Sequence, residues 1–143
     1  MKQVILQLLA AFCGSLGFSI LFGLRRRYWL PSSLGGLLAW AVYLLAQRLL
    51  GLPFLSNLAA AAFSVLYAEL LAHLLRCPAT LFITPAILPL VPGSELYYAM
   101  RSAVSGNAAL ARAHGAATLN AALAIAAGIS LVLAVREIHA RRL

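Results

Sequence analysis

Few residues in this chain are equipped for chemistry, and their spacing narrows what that chemistry is. Glu69 and His73 stand four apart, so on a helix they share a face. Such a pair in apolar sequence is a candidate for moving a coupling proton, with Glu69 as carrier and His73 as relay. The alternative is that both side chains reach the interface beside Arg76. Arg101 follows Tyr97 and Tyr98 and precedes Asn107, a set able to grip a carboxylate through paired guanidinium hydrogen bonds. On a helix over 94–113, Ser94, Tyr98, Arg101, Ser105 and Arg112 share one face. That stripe either lines a pathway or is a solvated external face. Ser94, a favoured N-cap type, and Glu95 follow Pro92-Gly93, and a helix beginning there offers free N–H groups to an anionic substrate. The alternative is a tight turn between packed helices. Asn57, Thr118 and Asn120 are polar within apolar spans; they read as inter-helix hydrogen-bond partners, with a ligand role open for Asn120.

Enzymatic chemistry fits badly. The chain has no Asp, and His73, His114 and His139 have neither metal-site spacing nor a carboxylate partner beyond Glu69. Cys13 and Cys77 lie in apolar sequence and show no redox or metal spacing. The expectation is therefore no catalytic residue, no metal and no cofactor.

The elements that would position these residues follow from composition. Of 143 residues, 64% are apolar and 10% charged, against about 45–50% and 25% in an ordinary soluble domain. A soluble globular protein is excluded. The formal charge of +8 comes from bases scattered between uncharged stretches, not from a basic face interleaved with aromatics, so nucleic acid is not the partner. The expected architecture is an all-α integral membrane protein, a single domain over 1–143. Uncharged spans are expected over about 4–24, 29–49, 54–75 and 115–135, each near the roughly 20 residues that cross a bilayer core. The first has no small-residue cleavage site and runs directly into Arg25, Arg26 and Arg27, so it is expected to stay in the mature chain.

Between Cys77 and Ala113 the pattern fails. Pro78, Pro85, Pro89 and Pro92 interrupt apolar sequence, and in a helix they would leave the carbonyls of Leu74, Leu81, Pro85 and Leu88 without donors. The expectation is a broken segment over 77–93 followed by a helix over 94–113. Freed backbone at membrane depth is tolerated where it is buried in protein or lines a cavity, which makes this stretch the leading candidate for a transport site. Charge favours a crossing. With five spans, Arg25, Arg26, Arg27, Arg76, Arg136, Arg141 and Arg142 lie inside and Lys2, Arg48, Arg101 and Arg112 outside; a re-entrant segment divides them almost evenly. The C-terminus is then cytoplasmic.

The run Pro85-Ala86-Ile87-Leu88-Pro89-Leu90-Val91-Pro92-Gly93, followed by Tyr97, Ala99 and Met100, resembles the signature of the threonine/serine exporter family, in particular the small subunit of its split, two-component form. The Gly35-Gly36 pair of the second span and the turn at Arg76-Cys77-Pro78 are similar in kind. The resemblance implies a subunit in the cytoplasmic (inner) membrane that exports threonine and serine, or succinate-like dicarboxylates, together with a second membrane subunit. Taken with the residue reading above, the candidate pathway residues are Pro85, Pro89, Pro92, Gly93, Ser94, Tyr97, Tyr98, Arg101, Asn107 and Asn120. A non-transporting scaffold is the competing expectation, and the proline-broken backbone argues against it.

Overall fold

The computed structural model describes residues 2–140, with side chains described to Ile138; Arg141, Arg142 and the His139 side chain lie outside the described residues. Six α-helices follow in order: α1 (Lys2–Leu21), α2 (Arg26–Leu50), α3 (Pro53–Leu75), α4 (Thr80–Ile87), α5 (Gly93–Val104) and α6 (Ala108–Ala140), with a 3-10 turn at Leu88–Leu90. Four of these, α1, α2, α3 and α6, are long and apolar enough to cross a membrane. The protein is an all-α membrane bundle. Large apolar side chains such as Leu6, Leu30, Leu49, Leu66 and Leu119 cover its outside, while small ones fill its inside, as expected where the surrounding solvent is lipid and helices meet by close approach.

Helix directions can be read from paired residues. Ser15 meets Gly36 and Ser19 meets Ser32, so α1 and α2 are antiparallel. Gly128 sits against Leu58, Ala61 and Ala62, and Arg136 bonds Glu69 at 3.0 Å, so α3 and α6 are parallel. A Cβ on Gly128 would lie 2.5 Å from the Leu58 carbonyl oxygen, which is why glycine stands at that crossing. The α6 contact face is Ala121, Ala124, Ile125 and Gly128. Ala122 and Ala126, one residue further along, are exposed and lie off this face.

Because α3 and α6 point the same way, the chain between them returns from the Arg76 end of the bundle to the other. The central segment does this with more regular structure than its prolines suggest. An eight-residue helix, α4, runs through Pro85. Pro85 is the sixth of its eight residues, where it removes one hydrogen bond; Pro78 precedes the helix, Pro89 lies in the 3-10 turn, and Pro92 stands before α5. Three of the four prolines thus sit at or near a helix start, and only Pro85 interrupts a helix. At about 1.5 Å per helical and 2.0 Å per 3-10 residue, Thr80–Leu90 spans roughly 18 Å, a little over half a bilayer core. Phe82 packs beside Tyr28 at one end, and Leu90 reaches Ala39, Ala60, Ala61 and Ile125 at mid-bundle.

The helix expected over 94–113 is two helices. It stops at Val104, Gly106 takes φ +77°, and α6 begins at Ala108. Gly106 permits the left-handed turn that ends α5. Ser94, Tyr98, Arg101 and Ser105 therefore do not share a continuous face with Arg112. Nor is Ser94 the N-cap: Pro92 occupies that position and no side chain caps it.

Candidate functional site

The proline break creates a polar problem that the bundle solves. Pro89 has no N–H, so the Pro85 carbonyl has no helical donor. The hydroxyl of Ser15, fully buried on α1, donates to it at 2.8 Å. The Leu88 carbonyl, freed by Pro92, is taken by the Val91 N–H at 3.2 Å. Below Ser15, Ser19 Oγ lies 2.7 Å from the Ser15 carbonyl and 2.9 Å from Ser32 Oγ. Having one proton, Ser19 donates to the carbonyl and accepts from Ser32. The Tyr67 hydroxyl crosses from α3 to donate to the Pro31 carbonyl at 2.8 Å. A ladder of hydroxyls therefore ties α1, α2, α3 and the broken segment together within otherwise apolar surroundings.

Gly35 and Gly36 make the close approach possible. A Cβ on Gly36 would fall 1.8 Å from Ser15 Oγ and 3.3 Å from Pro89 Cγ. One on Gly35 would fall 2.9 Å from Tyr67 Cε1 and 3.2 Å from Ala86 Cβ. Beside this junction a crevice of about 290 Å³ opens between α1, α2 and the 3-10 turn, lined by Gln7, Ala10, Ala11, Gly14, Ser15, Phe18, Trp40, Leu88 and Pro89. It is near the low end of volumes for small-molecule sites. No charged residue lines it; Gln7, Ser15 and Trp40 supply the polar groups. The Trp40 indole N–H is buried and has no acceptor.

Of the residues expected from sequence, Pro85 and Pro89 lie at this junction, Pro85 fully buried and Pro89 in the crevice wall. The others are elsewhere. Gly93, Ser94, Tyr97, Tyr98 and Arg101 are exposed on α5 or at its start, and α5 has no buried residue. Its main packing partner is the beginning of α6, where His114 Nδ1 meets Glu95 Oε2 at 2.7 Å and the His114 ring lies against Tyr98. Asn120 is exposed on α6, in a cleft with Asn57, Pro53 and Ala117. Asn57 is buried and bonds the Pro53 carbonyl within its own helix. Glu69 accepts a hydrogen bond from Arg136, and His73 is exposed beside Arg76 and Cys77.

A family model for Threonine/Serine exporter, ThrE, matches residues 7–135. The chain belongs to this family. The match spans the whole serine ladder, the crevice and the Pro85–Met100 motif, and the family is one of transporters, not enzymes. Comparison with curated proteins and with solved structures gives no match.

Within this exporter fold, Asn107 has a structural role. Its side-chain oxygen accepts the Leu110 N–H at 3.2 Å and its carbonyl accepts the Ala111 N–H at 3.0 Å, the pattern of an N-cap on α6. Asn107→Ala is expected to cost about 1 kcal/mol of stability and to leave the transport rate per folded molecule unchanged. Detergent-denaturation curves and efflux normalised to folded protein would check both halves.

Sequence reasoning missed Ser15, Ser19, Ser32 and Trp40. A signal was there: Ser15 and Ser19 are four apart in an uncharged span, and Ser32-Ser33 precede Gly35-Gly36, a pattern of hydroxyls beside small residues that marks helix contacts in lipid.

Proposed function

We propose that this chain is one membrane subunit of a secondary exporter of small polar carboxylate metabolites, threonine and serine first and succinate-like dicarboxylates as the alternative class. It acts with a second membrane subunit in the cytoplasmic membrane. The observation that carries the reading is the interrupted helix at mid-bundle, with its freed carbonyl held by Ser15 beside an open crevice. Discontinuous helices at membrane depth are a recurrent way to build a substrate site. The parallel course of α3 and α6 supports five crossings and a C-terminus on the side of Arg25, Arg26, Arg27 and Arg76, which the positive-inside rule makes cytoplasmic.

In this reading Pro85, Pro89, Ser15 and Trp40 form the wall this chain contributes. Gly93, Ser94, Tyr97, Tyr98 and Arg101 stand on a helix that packs almost wholly against α6, and the second subunit brings them into the pathway by covering α5. Arg101 then supplies the positive charge that the crevice lacks. Glu69, His73 and Asn120 have weaker claims, since Glu69 is paired and the other two are exposed.

Efflux of preloaded labelled threonine, serine and succinate tests this, measured from cells with this chain alone, the second subunit alone, and both. Efflux with both and with neither alone is expected, and the labelled compound that leaves names the substrate. No efflux from cells holding both subunits, assembled and inserted, would favour a scaffold role.

A further inference from the structure

One end of the bundle collects exposed arginines. Arg25 ends the turn between α1 and α2, Arg26 and Arg27 open α2, and all three are exposed. Arg76 ends α3, in a left-handed conformation at φ 50°. The two turns are neighbours: Leu24, Tyr28, Ala68 and Phe82 make a buried cluster against which Trp29, Leu75 and Cys77 pack. Four guanidinium groups therefore border one apolar knot. The ion pairs found among the described residues, Glu95 with His114 and Glu69 with Arg136, involve none of them.

The arginines are also drawn toward aromatic rings. Arg27 Cζ lies 4.5 Å from the centre of the Tyr28 ring and its guanidinium bonds the Tyr28 hydroxyl; Arg26 Cζ lies 5.8 Å from the Trp29 ring. Trp29 is fixed in turn by its indole N–H, which donates to the Leu24 carbonyl at 2.8 Å. The rings hold the charges at the level where the hydrocarbon surface begins. On the membrane side, Leu21, Phe22, Leu30 and Leu74 are exposed. Planar charged groups above a greasy wall match a molecule with a phosphate at one end and acyl chains below it.

We propose that the Arg25–Arg27 segment, with Arg76, is a binding site for the phosphate headgroup of an anionic glycerophospholipid, whose chains lie along Leu21, Phe22, Leu30 and Leu74. The site adds a lipid requirement to the protein and is independent of which metabolite it carries.

The chain has two tryptophans, so a Trp40→Phe background leaves Trp29 as reporter. Full-length protein of this background, reconstituted in phosphatidylcholine, is titrated with dibrominated phosphatidylglycerol or dibrominated phosphatidylcholine, and quenching of Trp29 gives the preference between them. A several-fold preference for phosphatidylglycerol is expected, falling to near none in the combined Arg25→Gln, Arg26→Gln and Arg27→Gln protein, because each arginine at the surface contributes to the attraction for an anionic lipid. The matching Arg→Lys protein, which keeps charge and orientation in the membrane, is expected to lose part of the preference because lysine cannot bind a phosphate bidentately. Arg101→Gln with Arg112→Gln, at the other end, is expected to leave the lipid preference unchanged. Equal quenching by both lipids in the unsubstituted segment, an unchanged preference in the Gln protein, or an equal fall in the Arg101/Arg112 protein would overturn the proposal. Displacement of the lipid by an equal concentration of inorganic phosphate would overturn it too, as a free-anion site.

Discussion

Gly36→Ala is expected to remove export and the folded bundle together, whereas Gly93→Ala, within the motif itself, is expected to leave the fold of this chain intact. The added methyl at position 36 would lie 1.8 Å from Ser15 Oγ and 2.7 Å from Ser15 Cβ, so rotating the hydroxyl away does not relieve the contact. Either α1 leaves α2 or the broken segment leaves both. Overpacking usually costs about 1–3 kcal/mol, and a contact this short against a helix-bound Cβ belongs at or above the top of that range. At Gly93 a methyl meets nothing within 4 Å. The cause can be isolated with Ser15→Gly, which removes the atoms the methyl strikes. The double variant Ser15→Gly/Gly36→Ala should recover part of the stability lost in Gly36→Ala, a coupling expected only between residues in contact. Thermal denaturation in mild detergent for all four proteins measures it. An unperturbed Gly36→Ala protein would show that α1 and α2 do not meet as described.

Ser15→Ala is expected to cost about 1–2 kcal/mol, since it leaves the buried Pro85 carbonyl without a donor, near the upper end of single hydrogen bonds measured in membranes. In a Pro89→Ala background the same change should cost close to nothing. Alanine at 89 restores an N–H four residues after Pro85, and the carbonyl then has a donor in its own helix. The two proteins carrying Pro89→Ala should also lose export by at least about tenfold, the loss expected when a positioning element is displaced from its working geometry, because the segment straightens where the crevice needs it bent. Stability and efflux thus respond in opposite ways to Pro89→Ala, a pattern that a general weakening of the fold cannot produce. Denaturant titration on the four proteins of the cycle gives the coupling, and efflux with the second subunit gives the activity. Retained export in Pro89→Ala would separate the break from transport.

Much of this was legible in the residues. Length, the uncharged runs and the arginines that bound them are properties of composition and order, and lipid acts on them locally: a segment without charge long enough to cross will form a helix whatever its neighbours. The family motif at Pro85–Met100 is equally a local pattern. The carbonyl orphaned by Pro89 could also be named in advance, because the loss is a matter of covalent structure four residues away.

What filled that gap could not be named. Ser15 is seventy positions from Pro85, and its spacing from Ser19 says only that both face the same way. The parallel course of α3 and α6, the separation of α5 from the central junction, and the pairing of Glu69 with Arg136 instead of His73 all depend on which helices lie side by side. In lipid that choice is made by close packing and inter-helix hydrogen bonds, not by a hydrophobic pattern, because the four long helices are apolar on nearly all sides. The sequence by itself determined that the chain is a membrane bundle, which stretches are long and apolar enough to cross, where its middle breaks and which family it resembles. Only the tertiary structure decided that Gly36 admits Ser15, that Ser15 closes the break, and that a crevice stands beside them, because these are contacts between surfaces whose order along the chain does not specify their meeting.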